Sequence, residues 1–479
     1  MNNAPYIYTF KTSEQCYVYD VNTNKILRIS EEVHDYLSSL TSATITDEHT
    51  ITFVEEMKAN GFLRSDRVEI SEHPATSLLT FYLKNRLCQL ILQVTQNCNL
   101  RCSYCTYSGL YKTRTHSSDS MSVEVAEKAI DFFIKRAKDS KTVTISFYGG
   151  EPLLNMCLIK HCVSYIESRY YGKKIDYAIT TNGTLLDENS IPYLAEKRFH
   201  LLISIDGPKE IHDKHRRFAD SGNGTYSIIM DNVARIKRHY PDYYQANVRF
   251  NTVFDTENDF SCVNDYITGD EILGADKFSV NYVTDNYTNQ KMEVNEEFTS
   301  GRDYEYFKFL LAKLGVISMD KASPLLASKF AGIFLRCFQN VQIEQNCIPR
   351  KFHHSGPCIP GAIRLFVDTK GRFFPCERVS ELSETVILGD IENGISLEKA
   401  RQIINPEVVT HAMCRDCWAY RHCFICVATV DDMQGVSEAE TCKRCPSVLA
   451  TIDNQFKDYC VLKELGYTFD EERMYKGIQ

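Results

Sequence analysis

Cysteines dominate the chemistry that this sequence could perform. The chain has 479 residues and 19 cysteines, many of them in tight local clusters. Cys98, Cys102 and Cys105 are spaced C-x3-C-x2-C directly after the apolar run CQLILQV. Thiolates at such short spacings suit a soft metal or an iron–sulfur cluster. Three of them on one loop could hold three irons of a four-iron cluster and leave the fourth open, or form a zinc site with a further ligand.

A second set of cysteines lies towards the C-terminus. Cys358, Gly371 and Cys376 follow the spacing C-x12-G-x4-C, and LFVDTKGRFFPC predicts a hairpin that returns Cys376 towards Cys358. The remaining members of this set form the pattern C-x2-C-x5-C-x2-C and a later pair: Cys414, Cys417, Cys423, Cys426, Cys442 and Cys445. Paired C-x2-C knuckles are also typical of zinc ribbons, so a zinc site is the alternative here.

The elements that must position the first cluster lie between residues 87 and 290. Short apolar runs such as TVTISFY, IDYAITT and VRFNTVF alternate there with amphipathic helical patterns. This alternation predicts βαβ units with a parallel sheet, whose functional loops lie at the carboxyl ends of the strands. The segments FYGGEP, TTNGTLL and ISIDGPKEIHDKHR stand at those predicted ends.

These motifs together resemble the radical S-adenosylmethionine (SAM) superfamily, whose signature is C-x3-C-x2-C with an aromatic residue before the last cysteine. The resemblance implies a partial (β/α)6 TIM-type barrel, a [4Fe–4S] cluster on Cys98, Cys102 and Cys105, and SAM bound to the open iron. It also implies the SAM-binding residues Tyr104, Gly149, Gly150, Glu151, Asn182, Ser204 and Arg216. Of these, Glu151 would meet the SAM amino group, and Ser204 and Arg216 its carboxylate. The pair His212 and Asp213 is interpreted as structural.

The C-terminal cysteines resemble the SPASM extension of radical SAM enzymes, which holds two auxiliary [4Fe–4S] clusters in a loop-rich domain. Carried over residue by residue, the distal cluster would use Cys414, Cys417, Cys423 and Cys442. The nearer cluster would use Cys358, Cys376 and Cys426, and its fourth ligand could be Cys347 or Cys445, or an open iron. The last pair has only two intervening residues, Phe424 and Ile425, where the family usually has three. Whether Cys442 or Cys445 closes the distal cluster therefore stays open.

Residues 1–75 predict a separate α+β module of three short strands followed by helices. The pattern resembles the winged, PqqD-like recognition element that binds the leader of a precursor peptide by strand addition. The predicted order is this module, the radical SAM barrel over 87–290, a helical linker over 291–345, the SPASM domain over 346–460 and a tail over 461–479.

The resemblance implies an enzyme that modifies a ribosomally made precursor peptide. Within that class it points to Cys thioether formation, as in sactipeptide and ranthipeptide synthases, with a reductant such as flavodoxin or ferredoxin. Other C–C or C–O crosslinking and oxidation of Cys or Ser, as in anaerobic sulfatase maturation, are the alternatives. A non-catalytic iron–sulfur protein and a zinc-dependent nucleic-acid binder are less favoured. No general base is identified; Tyr148, Tyr282 and Asp206 are candidates by position only.

Composition and charge narrow the setting of this chemistry. The formal net charge of −9 argues against a nucleic-acid partner, since phosphate binding favours a basic face. The sequence has neither an apolar run long enough to cross a membrane nor the layout of a secretory signal. A cytoplasmic protein without a membrane partner is expected.

Overall fold

The N-terminal module folds as predicted into a small antiparallel sheet and two helices. The computed structural model describes residues 4–39, 47–107, 111, 113–283, 285–288, 293–339 and 347–469. The sheet has the order β1 (Ile7–Lys11), β2 (Cys16–Asp20), β3 (Lys25–Ile29), and it is followed by α1 (Glu31–Ser38) and α2 (Glu48–Ala59). Ser30 caps α1 by accepting a hydrogen bond from the Val33 N–H, which starts the helix at this point.

The central part of the chain forms the predicted partial barrel. Its six parallel strands are neighbours in chain order: β5 (Gln89–Thr95), β6 (Thr142–Gly149), β7 (Lys174–Thr181), β8 (His200–Ser204), β9 (Val248–Phe254) and β10 (Phe278–Tyr282). The helices between and around them are α3 (Leu79–Asn85), α4 (Val123–Lys135), α5 (Met156–Arg169), α6 (Ser190–Glu196), α7 (Lys209–His215), α8 (Tyr226–His239), α9 (Pro241–Asn247) and α10 (Phe260–Gly269). The strands are buried because helices cover their outer face, as expected for a parallel sheet.

The C-terminal part continues the barrel sheet. The predicted hairpin forms from β12 (Leu365–Val367) and β13 (Arg372–Phe374), and β12 pairs in parallel with β5. The short strands β14 (Gly389–Asp390) and β15 (Gly394–Ile395) complete a ten-stranded sheet. The cysteine-rich region is therefore joined to the barrel through backbone hydrogen bonds.

Helices fill most of the remaining described chain. The predicted helical linker contains α11 (Glu296–Lys313) and α12 (Ala327–Ile333). The C-terminal helices are α13 (Leu397–Ile404), α14 (His411–Cys414), α15 (Val427–Val430) and α16 (Glu438–Glu464). The predicted domain boundary at residue 460 falls within α16, which continues to Glu464. Residues 470–479 of the predicted tail lie outside the described chain. Within the described residues, no helix is both long and apolar enough to cross a membrane.

The N-terminal module packs against the C-terminal domain. A hydrophobic core contains Tyr6 and Tyr19 of the module together with Ile452 and Phe456 of α16. The segment between module and barrel is also held in place, since β4 (Ile70–Ser71) pairs in parallel with β11 (Lys351–Phe352). The module is thus attached to the cysteine-rich region by packing and by backbone hydrogen bonds.

Candidate functional site

The loop that carries the first three cysteines begins where β5 ends, and the end of β6 lies directly against it. The Gly150 N–H donates to the Thr95 carbonyl at 2.9 Å. A Cβ on Gly149 would lie 2.0 Å from the Thr95 oxygen, and one on Gly150 would lie 2.2 Å from the Asn97 oxygen. No side chain fits at these distances, so both glycines are needed for the backbone of β6 to approach the loop that leads to Cys98.

The carboxylate of Glu151 connects two strand ends. It accepts hydrogen bonds from the Thr181 hydroxyl at 2.7 Å, from the Asn182 N–H at 2.7 Å and from the Leu153 N–H at 3.0 Å. The side chain is fully buried, and burial raises its pKa to about 7. The structure shows this carboxylate already bound by three protein donors, so its contact with a SAM amino group stays a prediction.

Asn182 reaches the cysteine loop from the end of β7. Its amide nitrogen donates to the Asn99 side-chain oxygen at 2.9 Å and lies 3.9 Å from the Cys98 sulfur. The predicted SAM-proximal residue therefore also supports the loop itself. Asn99 in turn donates to the Thr184 hydroxyl at 2.8 Å, and this bond connects the cysteine loop to the segment that follows β7.

Arg216 is directed at a protein carboxylate. Its guanidinium donates to both oxygens of Asp206, at 2.8 and 3.2 Å, and the Tyr104 hydroxyl donates to the same carboxylate. Burial raises the pKa of Asp206, but the charge and hydrogen bonds of Arg216 lower it more, so the net pKa lies below its usual range. An ionised carboxylate held in this way is a poor candidate base. These hydrogen bonds do not test the predicted contact of Arg216 with the SAM carboxylate. Ser204 is buried at the end of β8, and its predicted contact with SAM also stays a prediction.

The remaining candidate residues contact other protein groups in the folded barrel. His212 is buried between the Asp206 N–H and the Thr225 hydroxyl, and Asp213 accepts the Thr225 and Tyr226 N–H groups at the start of α8. This agrees with the structural interpretation of that pair. Tyr148 packs edge-on against Phe366, and Tyr282 stacks on Phe254 at the end of β10.

Four C-terminal cysteines line one cavity, named here the distal cavity. It has a volume of about 140 Å³, and its cysteines are Cys414, Cys417, Cys423 and Cys445. Cys442 is exposed and lies 3.8 Å from the Met413 thioether instead. Cys442 and Cys445 are three residues apart on α16, and Cys445 is the one of the two that is among the residues lining the cavity.

Three further cysteines, Cys358, Cys376 and Cys426, line a second cavity of about 230 Å³, named here the nearer cavity. Two arginines, Arg364 and Arg378, also line it. Cys347 is exposed and is not among its lining residues, and Cys445 belongs to the distal cavity. Among the described residues, the nearer cavity therefore has three cysteines in its wall.

A buried polar network between the barrel and the hairpin was missed by sequence reasoning. Arg114 pairs with Glu381 at 2.6 Å, and Gln93 of β5 donates to the same carboxylate at 2.7 Å. Next to them, Arg364 donates to one oxygen of Glu377 at 2.7 Å, while the other oxygen is buried without a partner in the described chain. Glu377 follows Cys376 directly, so it is a candidate proton acceptor. Spacing alone does not indicate these residues, because they belong to no repeated pattern.

The thiols fit the iron–sulfur sites that the motifs imply. Burial raises the pKa of Cys98 to about 11 and that of Cys102 to about 12. Cys414 and Cys423 of the distal cavity are raised by burial to about 12. A metal binds the thiolate and not the thiol, so a cluster at these positions would displace the thiol protons.

The fold and the site define a class of protein. Residues 92–264 match the family model described as the radical SAM superfamily. The match includes the cysteine loop and the strands from β5 to β9, so the partial barrel has the fold of a radical SAM domain.

The similar proteins are maturases and synthases. The cysteine-type anaerobic sulfatase-maturating enzyme of Clostridium novyi is 33% identical over 162 residues, 33% of this chain and 42% of that protein. The radical SAM cyclopropyl synthase TigE of Paramaledivibacter caminithermalis is 21% identical over 429 residues, 87% of this chain and 83% of that protein. The structure of native anSMEcpe with bound AdoMet has a TM-score of 0.57 at 20% identity, over 78% of this chain and 99% of that chain, and shares the fold. The chain spans less than half the length of the sulfatase-maturating relatives that it matches.

Proposed function

We propose that this protein is a radical SAM enzyme that forms Cys thioether crosslinks in a ribosomally made precursor peptide. The observation that carries the proposal is the nearer cavity, where the described chain has three cysteines in the wall, Cys358, Cys376 and Cys426, which would leave a four-iron cluster one ligand short. A substrate cysteine would supply the missing thiolate. The barrel loop with Cys98, Cys102 and Cys105 supplies the SAM site that this chemistry requires.

The chain's own residues would position the reactants. When bound and reduced, the cluster on the barrel loop supplies the electron that cleaves SAM to methionine and a 5′-deoxyadenosyl radical. Gly149 and Gly150 hold the loop close to β6, and Asn182 holds it to β7. Glu377, which follows Cys376 of the nearer cavity, has one carboxylate oxygen without a partner in the described chain and would accept the proton of the substrate thiol.

The proposed reaction balances with SAM as the net oxidant. The deoxyadenosyl radical takes one hydrogen atom from the acceptor carbon, and the cysteine thiol loses its proton. The S–C bond then forms as one electron leaves, which equals the electron spent on SAM. The peptide loses two hydrogens, and the other products are methionine, 5′-deoxyadenosine and a proton.

The two C-terminal cavities would hold auxiliary [4Fe–4S] clusters. We assign Cys414, Cys417, Cys423 and Cys445 to the distal cluster, since these four share one cavity. This assignment replaces Cys442 of the residue-wise carry-over by Cys445. The three cysteines of the nearer cavity would hold the second cluster, with its fourth position open to the substrate thiolate.

C–C bond formation is the second candidate function. A relative named as a cyclopropyl synthase matches 87% of this chain. Closing a carbon ring also removes two hydrogens from the substrate, so it gives the same change in mass as a thioether. Oxidation of a Cys or Ser, as in the sulfatase-maturating relatives, would leave no crosslink.

The N-terminal module would bind the leader of the precursor. Its strand β3 has one neighbour, β2, so its other edge is available for an added strand within the described sheet. Capture of the leader would raise the effective concentration of the core peptide near the radical. Hydrogen exchange tests this binding: a leader-bearing peptide should protect the amides of β3, and the same peptide without its leader should not. Absence of protection in β3 would refute the recognition role.

Mass spectrometry of a Cys-containing precursor, co-expressed anaerobically with the enzyme, tests the proposed product. A loss of two hydrogens per modified cysteine, with that thiol no longer alkylatable, is the expected result. The same loss with every thiol free would establish C–C or C–O bonding instead. A Cys98→Ala variant is the control, and it should leave the peptide unmodified.

A further inference from the structure

The two residues between Cys102 and Cys105 are both held by side-chain hydrogen bonds, one to a residue that follows a strand and one to the end of a helix. Tyr104 donates to Asp206 after β8, as described above. Its neighbour Ser103 lies with its hydroxyl 2.6 Å from Nδ1 of His215, the last residue of α7. Neither bond follows from the cysteine spacing.

The other ring nitrogen of His215 contacts a second carboxylate. Its Nε2 lies 2.9 Å from Oδ2 of Asp255, the residue after β9. Asp255 is itself held, because its other oxygen accepts the Glu257 N–H at 3.0 Å and Lys214 donates to Oδ2 at 3.0 Å. The end of β9 therefore provides a rigid base for the imidazole.

The chemistry of the three groups sets the direction of the hydrogen bonds. An ionised carboxylate only accepts, so Nε2 of His215 carries the hydrogen that Asp255 receives. In the neutral ring Nδ1 is then an acceptor, and the Ser103 hydroxyl donates to it. The chain from Ser103 to Asp255 is thus complete, with each donor matched to an acceptor.

We propose that Ser103, His215 and Asp255 form a strut that positions the backbone between Cys102 and Cys105 for SAM cleavage. This rests on the proposed function, because positioning matters only if the loop holds the SAM-binding cluster. The strut and the Tyr104–Asp206 bond attach neighbouring loop residues to the ends of neighbouring strands. His215 and Arg216 are adjacent in the chain, and they contact Asp255 and Asp206, the two carboxylates to which the loop is connected.

The strut is tested in the full-length, anaerobically reconstituted protein. Ser103→Ala removes the hydroxyl, and His215→Phe removes both hydrogen bonds but keeps a ring against Tyr104. Each should lower kcat for SAM cleavage about tenfold with iron content unchanged, since small displacements of a reacting group are costly. Each should also speed hydrogen exchange in the peptide that spans residues 98–107.

The double variant decides whether the residues act as one unit. Ser103→Ala combined with His215→Phe should lose no more activity and no more protection than either single change. Multiplied losses, or unchanged exchange in the single variants, would overturn the strut. His161→Phe is the matched control, because it breaks a 2.7 Å pair with Glu127 on the barrel surface. If the wild-type protein failed to cleave SAM, the proposed function would fail, while the exchange measurement would still judge the strut.

Discussion

The two cysteine-lined cavities of the C-terminal domain differ in what surrounds them. The distal cavity has four cysteines, and residues of the N-terminal module pack against the loop that supplies them: Tyr6 donates to the Cys417 carbonyl at 2.7 Å, and Tyr8 stacks on Trp418 at 3.8 Å. The nearer cavity has three cysteines and two arginines, and its hairpin continues the barrel sheet.

This difference separates a closed site from an open one. Four thiolates would saturate the proposed distal cluster, which would suit it to electron transfer or to support of the fold. The three cysteines of the nearer cavity would leave one position of the proposed second cluster for a substrate. The comparison also shows that the module which would bind the leader contacts the closed site, whereas substrate chemistry would take place at the open one.

The largest expected effect is the loss of a cluster when the distal set is broken. Cys445→Ala should lose about four irons per chain, because the proposed distal cluster loses one of its four protein ligands and neither SAM nor a substrate replaces it there. Cys442→Ala is the matched control one helical turn away, and it should keep its iron. Iron analysis of the reconstituted proteins checks both. Full iron in the Cys445 variant with loss in the Cys442 variant would transfer the ligand role to Cys442.

Mild acid should destabilise the distal region selectively. Burial lowers the pKa of His353 to about 4, and His354, in the distal wall, is also lowered by burial. Below pH 6.5 His353 becomes protonated in the unfolded chain but stays neutral in the folded protein. The free energy of unfolding should therefore fall as the pH is lowered to about 4. The loss is about 3 kcal/mol for this histidine.

Denaturant unfolding at pH 7 and pH 5 measures this effect. His353→Gln, which keeps one donor and one acceptor, should flatten the dependence of stability on pH. His161→Gln on the surface should not change it. An unaltered slope in the His353 variant would show that the acid sensitivity arises elsewhere.

The smallest expected effect concerns the attachment of the module. Tyr6→Phe removes only the hydroxyl that binds the Cys417 carbonyl, and it should lower the free energy of unfolding by about 1 kcal/mol. Trp418 is the single tryptophan of the chain and stacks on the module, so its fluorescence reports docking. Tyr171→Phe, at a side chain 91% exposed, should leave both measurements unchanged. Equal stability of the two variants would contradict a role for the hydroxyl.

Much of the fold could be predicted because its signals are local. Apolar runs separated by amphipathic helices indicated the parallel strands, and the turn at Gly371 indicated the hairpin. The pairing of β12 with β5 was not predictable, since it joins Leu365 to Leu90 across the chain without a local pattern. The same holds for Glu377 and Arg114, whose proximity depends on that pairing.

The sequence by itself determined which chemistry is possible, because residue type and short spacing place the three loop cysteines together whatever the rest of the chain does. It also placed Gly149 and Gly150 at the site; their contact with SAM stays a prediction, and the structure shows their contact with the loop backbone. The tertiary structure alone decided which C-terminal cysteines share a cavity. Cys442 and Cys445 are alike in sequence, and only the packing of α16 turns Cys445 inward and leaves Cys442 exposed.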